Sequence, residues 1–182
     1  MSKEKIISAF LNLIEENPYS KITISQIMST ANMTRTYFYQ FFDNKQNLTR
    51  ETLFSVLKDF FEYLDITFDK DKQINYQNVL KGIDFLFKHK KTIQLLIDVQ
   101  DSNFNLQTEF QYEIKALIKQ QIVQSNKRTT YEEDYFAEIF SVSALTTISW
   151  FLTNNKITSQ EVTELIIKCV STGLLSILEP IK

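Results

Sequence analysis

Between Thr34 and Lys45 the chain reads TRTYFYQFFDNK, and the side chains in that run separate by angle. At about 100° per residue on a helix, Phe38, Phe41 and Phe42 share one apolar sector, Thr36 and Gln40 point the opposite way, and Tyr37 and Tyr39 fall on the flanks. The outer side, made of Arg35, Thr36, Tyr37, Tyr39 and Gln40, offers hydrogen-bond donors and acceptors beside two amphipathic rings. That chemistry suits base edges in a DNA major groove, with the rings lying along a sugar-phosphate edge. The same face also reads as a solvated helix side carrying two half-buried tyrosines, so the angles alone leave two readings open. Lys45 weighs toward the first. It falls in the first turn of the following helix, where a cation is disfavoured by roughly several tenths of a kcal/mol. A docked anion would reverse that cost, because a lysine and free backbone N–H groups together make a phosphate site. A lysine that simply bends into solvent is the alternative.

The elements that position these residues carry strong start signals. Ile6, Ile7, Phe10, Leu13 and Ile14 repeat at helical spacing, and Asn17-Pro18 ends that first helix. Thr23 then begins a capping box with Gln26, and Ile22 with Ile27 supplies the hydrophobic staple. The second helix is short, because Ala31-Asn32-Met33 interrupts it, and Asn is the non-glycine residue best suited to a left-handed turn position. Thr34 can cap the next helix, with Met33 and Phe38 as its staple. Two short helices joined through a left-handed Asn32 form a helix-turn-helix. Asp43-Asn44 caps a fourth, long helix running to about residue 67. Five further helices are expected over about 76–87, 91–99, 104–125, 131–153 and 159–178, the last capped by Thr158 and Glu161.

Composition sets the frame around these motifs. Two glycines and two prolines in 182 residues leave few turn and strand-end signals, so the expected class is all-α, about nine helices, with an N-terminal domain over 1–48 and a helical regulatory and dimerisation domain over 49–182. One cysteine, Cys169, excludes an internal disulfide framework and a thiolate metal cluster. The single histidine, His89, sits in the basic run FKHKK and reads as a surface residue. No metal site or cofactor is expected. A Gly-rich phosphate loop, metal-ligand spacing and a nucleophile arrangement are all missing, and the acid pair Glu132-Glu133 reads as solvated surface, so no enzyme is expected. No apolar run reaches the roughly 20 residues that span a bilayer, and the opening MSKEKIISAF meets charges before any signal-type core. A cytoplasmic protein with no membrane partner is the expectation. Net charge is +2 over residues 1–50 and −4 over 51–182, a basic front and an acidic remainder.

The stretch ISQIMSTANMTRTYFYQFFDNKQNL resembles the N-terminal domain of the TetR family of transcription regulators. Its short helix, turn, cap, Tyr-x-x-Phe and following Lys-x-x-Leu match over about residues 3–50 without a gap. The resemblance implies that Arg35, Thr36 and Tyr37 lie nearest the bases, while Thr34, Tyr39 and Lys45 hold phosphates, with Gln40 also in reach of the backbone. Asn32 replaces the family's usual turn glycine, and Phe41 replaces a frequent histidine that can contact phosphate. The tail from Phe136 resembles the last two helices of a C-terminal subtype that includes dihydroxyacetone kinase regulators. The resemblance further implies a homodimer on a palindromic, double-stranded operator.

The C-terminal part leaves more open. Apolar and small residues on the last two helices, among them Phe140, Ala144, Thr147, Phe151, Ile166, Val170, Gly173 and Ile177, read as a four-helix dimer interface, although part of each stripe must be intrachain core. Large rings over the middle helices are mostly core, and Phe61, Phe85, Phe104, Phe110 and Tyr112 are candidates for lining a cavity for a small apolar or amphipathic ligand. The expected function is a dimeric DNA-binding regulator, a repressor released by a small molecule. The alternatives are a regulator or activator of the same fold controlled by a partner protein, and a helical interaction module that has lost DNA binding.

Overall fold

The computed structural model describes residues 2–64, 75–101, 104–125, 130–154 and 156–173, and its elements are almost entirely helical. In chain order they are α1 (Ser2–Glu16), a 3-10 turn (Tyr19–Lys21), α2 (Ile24–Thr30), α3 (Arg35–Phe38), α4 (Lys45–Val56), α5 (Lys58–Tyr63), α6 (Tyr76–Lys88), α7 (Lys90–Ile97), β1 (Gln100–Asp101), β2 (Phe104–Asn105), α8 (Leu106–Ser125), α9 (Tyr131–Thr153) and α10 (Ser159–Thr172). The two strands are a two-residue antiparallel pairing, Gln100 with Asn105 and Asp101 with Phe104. That pairing delays the start of α8 to Leu106. The described residues form ten α-helices rather than nine, because the expected fourth helix breaks at Leu57. There the backbone relaxes to φ −90° and ψ 4° while the Leu57 N–H still reaches Leu53 at 2.9 Å. The expected ends at 67 and 178 lie outside the described residues.

The chain divides into two compact units, one of Met1–Lys58 with Lys91–Leu106, the other of Asp59–Lys90 with Gln107–Lys182. The first unit thus extends ten residues beyond the boundary expected at 48 and recruits most of α7. Its core explains the extension. Ile6, Phe10, Ile27, Phe38 and Leu48 are buried, and so are Leu53 and Leu57 further along α4, with Ile93, Leu96 and Ile97 from α7. Fully burying each such side chain is worth about 1.5–3 kcal/mol, which favours carrying the unit past residue 48.

In the second unit, Leu106 aside, α8 buries Phe110, Ile114, Ile118 and Ile122 at four-residue intervals, and α9 buries Phe136, Ala137, Phe140, Ile148, Phe151 and Leu152. Full capping boxes start α9 at Thr130 with Glu133 and α10 at Thr158 with Glu161. Glu133 is therefore a buried cap rather than the solvated surface acid expected from sequence. By length and composition α9 is one helix long and apolar enough to cross a membrane, which counts against the expectation that no such run exists. Its inward side chains fill the core, and its first two turns carry Glu132, Glu133, Asp134 and Glu138.

Candidate nucleic-acid interface

The turn before α3 is built by hydrogen bonds that its sequence favours. Thr23 Oγ1 accepts from the Gln26 N–H at 3.2 Å, and the Gln26 side chain accepts from the Thr23 N–H at 2.8 Å. Such a cap is worth about 1 kcal/mol. At the other end of α2, Asn32 has φ 56°, the single positive-φ non-glycine position among the described residues. The Met33 N–H reaches back to Met28 at 2.8 Å and the Asn32 N–H to Ser29 at 3.0 Å. Those two bonds are a Schellman closure with Asn in the place where glycine is commonest. The buried staple pair Ile22 and Ile27 fixes the entry angle of the chain.

α3 is shorter and tighter than the angles assumed. Four residues are α-helical, after which the N–H groups of Gln40 and Phe41 bond three residues back, to Tyr37 at 3.3 Å and Phe38 at 3.0 Å. A three-residue turn rotates the chain faster than an α-turn. Phe38 and Phe42 are accordingly buried, while Phe41 is only half-buried, its ring edge-on to Tyr37 at 5.2 Å. Thr34 has the extended backbone of a cap, but its side chain makes no capping bond, contrary to expectation. It stands exposed beside Arg35, Thr36 and Gln40, and Tyr39 is 52% exposed. Tyr37 is half-buried, its hydroxyl 3.5 Å from Ser2 Oγ, at the outer limit of a hydrogen bond.

Lys45 does not simply bend into solvent. Its ammonium donates to the carbonyl oxygens of Tyr19 at 2.9 Å and Ile22 at 2.8 Å and lies 4.0 Å from the centre of the Tyr19 ring. These carbonyls close the 3-10 turn, the negative end of a short helical segment, which offsets the cost of a cation in the first turn of α4. Asn44 caps α4 through the Asn47 N–H at 2.7 Å, and Thr49 bonds to the Lys45 carbonyl at 2.7 Å and to the Tyr19 hydroxyl at 3.4 Å. Nothing in the local pattern signals this clasp, because its partners lie more than twenty residues away. Lys3 adds an ion pair to Glu51 at 3.0 Å.

The second unit places the other candidates differently from the sequence reading. Phe110 is sealed in the core against the rings of Phe60 and Phe61. The Phe85 and His89 rings lie 4.4 Å apart, tilted by 35°, so that histidine is half-buried against a ring, and Tyr112 is 62% exposed. The Phe104 side chain lies outside the described residues. None of the four described rings, Phe61, Phe85, Phe110 and Tyr112, lines the hollow that the unit does contain. That hollow is walled by Phe60, Tyr63 and Gly82 on one side and by Phe140, Ala144, Thr147 and Ile166 on the other. Four expected interface residues thus face inward, and a fifth, Phe151, is buried with its ring stacked on Phe87 at 4.6 Å. Residues 140, 144, 147 and 151 share one side of α9, whose opposite side exposes Tyr131, Tyr135 and Val142, with Trp150 exposed on a flank. Gly173 is exposed, and the side chains of Val170 and Ile177 lie outside the described residues.

A capped helix, a Schellman turn and a second short helix with a polar outer face define a helix-turn-helix domain. Residues 6–52 match the model for bacterial regulatory proteins of the tetR family. The chain is 30% identical over 129 residues to the HTH-type dhaKLM operon transcriptional activator DhaS of Lactococcus lactis subsp. lactis (strain IL1403), a match covering 70% of this chain and 65% of that relative. A solved structure of a dihydroxyacetone kinase operon activator DhaS superposes with TM-score 0.59 at 22% identity, covering 97% of this chain and 95% of that one. The secondary repressor NalD of the MexAB-OprM multidrug efflux pump in Pseudomonas aeruginosa gives TM-score 0.59 at 17% identity, covering 94% of each chain. At those identities the two structures speak for the fold alone. The relatives are transcriptional regulators and not enzymes.

Proposed function

We propose that the protein is a dimeric, cytosolic, DNA-binding transcriptional regulator whose operator affinity is controlled by a small molecule held in the second unit. The observation that carries the reading is the exposure of Arg35 and Thr36 on α3 and of Tyr39 and Gln40 in the turn that ends it, all following a tightly closed turn. Arg35, Thr36 and Tyr37 then meet base edges, and Thr34, Tyr39, Gln40 and Lys45 meet phosphates, with Lys45 also holding the turn that orients α4. Two copies related by a two-fold axis, pairing through the exposed side of α9 and Leu165 of α10, read a palindromic operator. Control by a ligand is supported by the apolar hollow behind α9, since a ligand that favours one conformation shifts operator affinity.

The test is a titration with DNA from the protein's own promoter region across salt concentrations. Sequence-specific binding that weakens steeply with salt is expected. Indifference to sequence would remove both this reading and the one that follows. A second reading, an activator controlled by a partner protein, is supported by the Lactococcus relative, which is named a transcriptional activator. Transcription from the bound promoter in a purified system separates the two, falling for a repressor and rising for an activator.

A further inference from the structure

Among the described residues, the wall of the hollow in the second unit carries no Asp, Glu, Lys, Arg or His. It lies between α5 and α6 on one side and α9 and α10 on the other, with a volume of about 80 Å³. Its origin is in small residues. Gly82, Ser143, Ala144 and Thr147 line it, so the larger rings of Phe60 and Phe140 frame a gap instead of closing it. A Cβ added at Gly82 would come within 3.4 Å of Tyr63 Cβ and 3.6 Å of the Phe60 ring. The polar residues described on this wall are neutral: Tyr63, Asn75, Asn78, Ser143 and Thr147, with the Asn75 amide oxygen already accepting from the Asn78 N–H at 3.2 Å. The Thr147 hydroxyl is already spent on the Ser143 carbonyl at 2.8 Å.

The geometry points to a binding site for an uncharged molecule of about one ring, apolar over most of its surface and carrying one or two hydrogen-bonding groups. This rests on the ligand-controlled reading above and specifies its ligand. An ion entering the hollow would lose its hydration without meeting a counter-charge among the described residues of its wall. A neutral ring would exchange water for apolar wall and keep a partner for one polar group.

Cys169 lies on the rim, is exposed, and is the only cysteine in the sequence, so its thiol reports occupancy without any substitution. Benzyl alcohol, benzoate and benzylammonium share a ring and differ in charge, and each is tested for slowing alkylation of Cys169 by iodoacetamide in the full chain. Benzyl alcohol is expected to protect the thiol and to bind at least about tenfold more tightly than either ion. Ala144→Leu fills the gap and is expected to remove protection while helical circular dichroism is retained, with Ser143→Val as the second filling variant should the first fail to fold. Equal affinity of the three probes, no protection by benzyl alcohol up to its solubility limit, or protection that survives filling would overturn the site. A thiol already inaccessible before any probe is added would also overturn it, showing that the chain covers its own hollow. Operator affinity measured in the same samples separates the two claims. Protection by benzyl alcohol with unchanged operator affinity overturns ligand control and upholds the site.

Discussion

The ammonium of Lys45 lies 2.9 Å from the carbonyl oxygen of Tyr19 and 4.0 Å from the centre of its ring, joining the first turn of α4 to the end of the 3-10 turn that precedes α2. One side chain therefore closes the turn before the helix-turn-helix from the helix that follows it. Lys45→Ala should lower unfolding stability by about 1 kcal/mol, the scale of a charge-assisted hydrogen bond discounted for partial exposure. It should also weaken binding to every DNA sequence alike. Denaturant titration checks the first effect. An unchanged midpoint with weakened DNA binding would mean that the ammonium serves phosphate alone.

Thr52 carries a buried hydroxyl with no hydrogen-bond partner among the described residues. Valine has nearly the same shape and no polar group to desolvate. Thr52→Val should raise stability by about 1 kcal/mol, seen as a higher midpoint in urea. A loss of stability would show that the hydroxyl is satisfied in solution, for example by a water.

Acid should unfold the protein partly through its caps and ion pairs. The Thr158 N–H and hydroxyl hold the Glu161 carboxyl below the usual carboxylate range, and the Lys119 ammonium does the same for Asp134. Folded values below the unfolded ones mean stability that is complete above about pH 5 and lost as pH falls through the folded values. Lys115 is raised by its bond to Glu138, so its contribution is present below the ordinary lysine value and is lost only in strong base. Urea midpoints should therefore fall from about pH 5 downward, and less steeply in Glu161→Gln and Asp134→Asn. Midpoints that do not change across that range would contradict both assignments.

The exposed side of α9 should hold the dimer together. Trp150 and Val142 are exposed in the isolated chain, whereas Phe140 and Phe151 are buried. Val142→Asp and Trp150→Glu should shift sedimentation to a monomer with helical content kept. A dimer that survives both substitutions would place the interface elsewhere.

The N-terminal unit was legible from sequence because its signals are local. The Thr23–Gln26 box spans three residues, and Asn32 stands where a left-handed turn needs a residue that tolerates positive φ. Thr34 shows the limit of such signals, since its backbone takes the cap position without the side-chain bond. The break at Leu57 has no glycine or proline to announce it. On α9 both faces carry apolar and small residues, so periodicity could not decide which side turns inward, and three of its residues expected at an interface, Phe140, Ala144 and Thr147, line the hollow instead. The Lys45 clasp joins residues separated by 26 and 23 positions, beyond any local pattern.

The central claim is that the outer face of α3 reads DNA, and the most direct test compares Arg35→Ala with Tyr39→Phe on a set of operators differing at single base pairs. The account predicts that Arg35→Ala relaxes discrimination at one position by about 1–3 kcal/mol, while Tyr39→Phe weakens all sequences equally and leaves the preference intact. Unchanged sequence preference in Arg35→Ala would contradict it.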